Sequence, residues 1–129
     1  MAALIESVNF RINQGGEDVC IAIAQEFESE QVLMVAFMNR EALELTVEKG
    51  SMHYYSTSRK KIWHKGEESG HVQRVREAYI DCDGDALLFK VEQKSAACHN
   101  GYYSCFYRRL EKGEWVVVKE KVFNPDEVY

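Results

Sequence analysis

At 129 residues and 46% hydrophobic content, the chain has the size of one domain and enough apolar material for one core, so neither disulfides nor a metal is required simply to fold it. Sixteen Lys and Arg against 21 Asp and Glu leave a net charge of −5, which excludes nucleic-acid binding through a broadly basic surface. No apolar run reaches the length of a membrane span, and Met1-Ala2-Ala3-Leu4-Ile5-Glu6 lacks the basic and apolar regions of a secretory signal, so a cytoplasmic, reducing setting without membrane association is expected.

Val19-Cys20-Ile21-Ala22-Ile23-Ala24, with β-branched residues at alternate positions, predicts a strand. Val32 to Met38 is continuously apolar and predicts a second, central strand, with Glu28 to Gln31 as the turn between them. Asn39 has the side chain of a helix cap and Glu41 suits the positive end of the helix dipole. Ala42, Leu43, Leu45, Thr46 and Val47 supply an apolar face, and Lys49-Gly50 a stop. Another strand is expected within Ser51 to Ser58, and a long charged loop from Thr57 to His71. Val72 to Asp81 and Ala86 to Val91 read as two strands about a tight turn, and Tyr103 to Arg108 with Trp115 to Val122 as a last pair joined at Glu111 to Glu114. The expected fold is α+β: a single compact domain spanning residues 1–129, with a mostly antiparallel sheet and one or two helices.

The turn Asp81-Cys82-Asp83-Gly84-Asp85 sets three carboxylates at alternate positions, hard oxygen ligands of the kind magnesium and calcium prefer. In an extended chain Asp81 and Asp83 share a side and Cys82 points to the other, while a tight turn brings Asp85 back beside the first two. The same residues also suit an ordinary solvated turn. An EF-hand is excluded, because its sixth position is Ala86 here and the flanks read as strands. Cys82, Cys98 and Cys105 offer three thiolates for a zinc ion with one open position, or they are unrelated core thiols; Cys20, in an apolar strand, reads as core. His99, beside Cys98, suits a general acid or base, a fourth ligand or a plain loop residue. Arg59, Trp63, Lys65, Ser69 and Gly70 lie in a basic stretch that suits a phosphate pocket with an aromatic platform, or a solvated loop anchored by its tryptophan.

Taken in order, these stretches resemble the phosphoribosyl-AMP cyclohydrolase family. The residues that carry the resemblance are Val32-Leu33-Met34, Met38 to Leu43, His53-Tyr54-Tyr55-Ser56 and Ser58-Arg59. Trp63, Lys65-Gly66-Glu67, Ser69-Gly70, Asp81 to Leu88, Ala97-Cys98-His99 and Ser104 to Arg108 complete it. The resemblance implies that Asp81, Asp83 and Asp85 hold magnesium and that Cys82, Cys98 and Cys105 hold zinc. It further implies a homodimer whose zinc ligands come from both subunits, and hydrolysis of the N1–C6 bond of the adenine ring of phosphoribosyl-AMP. Within that reaction His99 is expected to move protons, and Arg59, Trp63, Lys65, Ser69 and Gly70 to contact substrate. The chain departs from the family's usual pattern at Glu26, Asn100 and Tyr102-Tyr103, and its length matches the form without a fused pyrophosphohydrolase domain. A zinc nucleobase deaminase is excluded by the absence of His-x-Glu and Pro-Cys-x-x-Cys.

Overall fold

The structure, a computed structural model, describes residues 2–128. Its elements in order are α1 (Ala2–Glu6), β1 (Ile12–Gln14), β2 (Glu17–Glu26), β3 (Val32–Met38), α2 (Arg40–Lys49), β4 (His53–Ser56), β5 (Lys61–His64), β6 (Gln73–Ile80), β7 (Ala86–Gln93), β8 (Arg108–Glu111), β9 (Glu114–Val117) and α3 (Pro125–Val128). A seven-stranded sheet runs β5-β4-β3-β2-β7-β6, with β1 added to β2, and β8-β9 forms a separate two-stranded sheet.

Alternation along β2 buries Cys20, Ala22 and Ala24 on one face, as the sequence pattern requires. β3 joins it antiparallel, from Cys20 opposite Met38 to Ala24 opposite Met34. The other edge of β2 pairs with β7 in parallel, from Ile21 opposite Ala86 to Glu26 opposite Val91. The mostly antiparallel sheet therefore has a parallel pair at its centre. The chain passes through β3, α2, β4, β5 and β6 between those strands, a crossover long enough to return in the same direction. The sheet also curls until its ends meet: Ser51 bridges Arg74, Met52 N donates to Gln73 O, and Val75 N donates to Gly50 O.

α2 forms where the capping signals place it. Asn39 Oδ1 accepts from Ala42 N at 2.9 Å, Asn39 Nδ2 donates to Glu17, and Gly50 N donates to Thr46 O at the far end. Ala42, Leu43 and Thr46 are buried, whereas Val47, assigned to the apolar face, is exposed. The core beneath the sheet contains Ile5, Val19, Leu33, Met38, Leu43, Met52, Tyr54 and Val91, each at most 2% exposed. Gln73 is fully buried among them and pairs with Tyr54, Gln93 and Met34, which meets the cost of hiding its amide.

Three segments differ from expectation. The stretch from Thr57 to His71 is not wholly loop: Lys61–His64 is a strand, paired from His53 opposite His64 to Ser56 opposite Lys61. The last pair starts later, at Arg108, because Ser104 Oγ and Cys105 N are drawn instead to the carbonyls of Val32 and Leu33. Two short helices, α1 and α3, bring the described helices to three, where one or two were expected. Among the described residues no helix is long and apolar enough to cross a membrane.

Candidate functional site

The β6–β7 turn is built by its own first aspartate. Asp81 Oδ1 accepts from the amides of Asp85 and Ala86 at 3.1 and 3.2 Å, and Gly84 N donates to Asp81 O. Gly84 has φ +77°, and a Cβ there would lie 3.0 Å from Ser7 O, so both backbone angle and space favour glycine. The folded turn brings ligand oxygens of Asp81, Asp83 and Asp85 within 4.8 Å of one another. Asp81 and Asp83 are exposed and Asp85 is buried.

Arg11, between α1 and β1, reaches this turn from outside it. Its Nε and Nη2 donate to Asp85 Oδ2 at 2.6 and 2.5 Å, and Nη2 lies 3.6 Å from Asp83. The guanidinium, bonded to the carboxylate, holds Asp85 below the usual range. Asp83 is raised: its own backbone hydrogen bond lowers it, but the bond shared with Asp85, desolvation and the charges of Asp81 and Asp85 together outweigh that. Crowded hard oxygens with a cation already drawn to them fit a divalent ion such as magnesium. Cys20 lies fully buried, its thiol pushed up to about 12 chiefly by burial, with the Asp85 and Asp81 charges adding to the effect.

A second cluster forms around Cys98 and Cys105. Ala97 N donates to Tyr103 O and Cys98 N to Tyr102 O, which closes a small loop, and Cys105 N is fixed to Leu33 O at 2.7 Å. Gly101 closes the loop at φ +98°, where a Cβ would stand 2.5 Å from Phe123 O. The Cys98 sulfur lies close enough to Cys105 to act on its thiol. Burial, then the Cys98 sulfur, pushes Cys105 up to about 12, against the nearby Lys65 charge. Soft sulfurs held together fit zinc. Cys82 is exposed on the acidic turn and does not join them: among the described residues, the aspartate set alone forms a group of three ligand atoms close enough to share an ion.

The basic stretch divides. Arg59 is exposed, with its amide bonded to Ser56 Oγ. Trp63 is half-buried and packs at 5.0 Å on Tyr54. Ser69 Oγ accepts from His71 N, and Gly70 N donates to Gly66 O at 2.8 Å. Lys65 turns inward: it is 7% exposed, and its ammonium donates to Ala97 O. Burial lowers its pKa, opposed by the Cys105 and Cys98 sulfurs.

Of the four histidines, His99 alone is exposed. His53 is buried and stacks on His64 at 4.4 Å, while His71 packs edge-on against Phe123. Sequence reading missed Arg11, 74 residues from its partner, and no local pattern marks it. Glu26 and Tyr103, two of the positions that depart from the family's pattern, lie close enough for the Glu26 charge to raise Tyr103, after the larger effect of burial.

Comparison with known proteins returns one consistent answer. A family model described as phosphoribosyl-AMP cyclohydrolase matches residues 34–107, a span that includes both the acidic turn and the cysteine pair. A phosphoribosyl-AMP cyclohydrolase of Methanothermobacter thermautotrophicus is 58% identical over 95% of this chain and 90% of its own length. One from Methanocaldococcus jannaschii is 60% identical over 88% of each chain, and one from the more distant Nitrosomonas europaea 52% over 92% of each.

Proposed function

The chain belongs to the phosphoribosyl-AMP cyclohydrolase family, and from that premise we propose that it opens the adenine ring of phosphoribosyl-AMP at the N1–C6 bond, in histidine biosynthesis, with zinc and magnesium bound. The observation that carries this reading is the family match across residues 34–107, within which every proposed ligand is present. Asp81, Asp83 and Asp85 would hold magnesium, and their convergence supports that assignment. Cys98 and Cys105 would hold zinc together with Cys82 of a second copy. Cys98 and Cys105 lying near each other, with an exposed Cys82 on a separate turn, support a homodimer whose zinc ligands come from both subunits.

A zinc ion in that setting supplies a Lewis acid that makes water nucleophilic near neutral pH. The chain's own residues do the rest. His99, exposed beside Cys98, accepts a proton from the attacking water and returns one to N1 as the N1–C6 bond breaks. The exocyclic nitrogen stays on C6 as a carboxamide, so no ammonia leaves. Arg59, exposed at the start of the basic stretch, with Ser69 and Gly70, is assigned to the substrate's phosphates, and Trp63 to its flat base. The acidic net charge supports an enzyme that does not act on nucleic acid.

A spectrophotometric assay with phosphoribosyl-AMP tests the proposal. Ring opening without ammonia is expected, abolished by a zinc chelator and restored by zinc. Ammonia release, or activity indifferent to the chelator, contradicts it.

A further inference from the structure

We propose that Lys65 is a positioning residue for the cysteine pair: its ammonium clamps the peptide that precedes Cys98 and acts as the standing counter-charge to a three-thiolate ion. The inference deepens the zinc reading and rests on it. An ammonium has three donors and strong hydration, and burying one without a counter-charge is costly. Lys65 is nonetheless 7% exposed, and its ammonium is directed to Ala97 O, 32 residues away. Among the described residues no carboxylate forms an ion pair with it. The groups whose charge favours its ammonium form are Cys105 and Cys98.

Two features of the chain aim this side chain. Lys65 N donates to Met52 O at 3.0 Å, which anchors the backbone where the curled sheet closes, and the ammonium lies 5.8 Å from the centre of the Trp63 ring. At the other end, the Ala97 carbonyl belongs to the peptide that leads into Cys98, whose amide is already fixed to Tyr102 O. The lysine thus ties the β5 hairpin to the cysteine loop at the residue before a proposed ligand. Three thiolates around a divalent ion sum to −1, and the charge of the buried lysine brings the group to zero. A lysine so placed stabilises the loaded cluster more than the empty one. Removal of a side chain that holds a ligand's loop in place typically weakens metal binding by about 10- to 100-fold.

The test is zinc affinity at one fixed pH, by competition with a chromophoric chelator, for the wild-type protein and Lys65→Met, alongside the cobalt(II) spectra of both. The variant is expected to fold, since replacing a buried charge with an apolar side chain of similar length is often neutral or stabilising. Its metal-free melting temperature should match or exceed that of wild type, while its zinc dissociation constant rises about 10- to 100-fold. A merely structural lysine predicts the reverse, a lower melting temperature with unchanged affinity, and that result overturns the inference. Wild-type protein without a cobalt–thiolate band removes the zinc reading itself, which separates the two failures. If Lys65→Met does not fold, a structure of the zinc-loaded wild-type protein decides. An ammonium still held on Ala97 O beside the loaded cysteines is expected, and one turned away to solvent overturns the proposal.

Discussion

At the acidic turn, five consecutive residues carry all three candidate ligands, and the first of them folds the loop by accepting two of its amides. At the cysteine pair, the ligands lie seven positions apart in sequence, and their loop is fixed by carbonyls of β3 and by a lysine from the β5 hairpin. The first arrangement is local and complete in one chain. The second depends on the whole fold and, in the proposed function, on a second copy. A site of the first kind should survive perturbation elsewhere, and a site of the second kind should register it.

The largest expected effect is at the cysteines. Cys105→Ala should lose both bound zinc and ring-opening activity, read by metal analysis and assay; activity retained without zinc breaks the account. Asp83→Asn should follow, with activity that responds poorly to added magnesium but a nearly unchanged melting temperature, because the side chain is exposed. Asp81→Ala should add a loss of about 1–2 kcal/mol in denaturant unfolding, since it also removes the bonds that shape the turn.

Alanine at the two loop glycines sharpens the contrast. Gly101→Ala drives a Cβ to 2.5 Å from a backbone oxygen and should cost about 1–3 kcal/mol together with zinc affinity. Gly84→Ala meets a neighbour at 3.0 Å and should cost about 1 kcal/mol with zinc affinity unaffected. Equal effects of the two on zinc would remove the distinction between the loops.

The smallest effect expected is on pH dependence. Burial lowers the His53 pKa, opposed by its hydrogen bond to Ser51 O and reinforced by His64 and Lys49. The unfolded chain protonates that histidine at about 6.5, above the folded value, so it binds more protons as the pH falls. Stability contributed by neutral His53 is therefore present above about 6.5 and is lost as the pH drops through the folded value. Melting temperatures measured from about pH 7.5 to about 5.5 should fall, and His53→Gln should flatten the slope.

The same contrast governs what the sequence discloses. α2 is legible because Asn39, Glu41 and Gly50 act within their own helix, and the β6–β7 hairpin because its turn residues sit between two periodic runs. The convergence of Asp81, Asp83 and Asp85 follows from that hairpin alone. β5 is hidden because only Ile62 and Trp63 stand out in a charged stretch, and its pairing with β4 supplies the remaining order. The parallel β2–β7 pair is a contact across 65 positions, with no local signature. Lys65 reads as one more charge in a basic loop, whereas its burial is decided by a carbonyl 32 residues further on. Arg11 is hidden for the same reason.

The central claim is that Cys82 of one copy completes the ion held by Cys98 and Cys105 of another. Subunit mixing tests it most directly: Cys82→Ala and Cys105→Ala, each inactive alone, are combined under conditions where wild-type subunits exchange. Random pairing makes half the dimers mixed, each with one intact shared site of two, so the account predicts recovery of about a quarter of wild-type activity. A mixture as inactive as its two parents would contradict it.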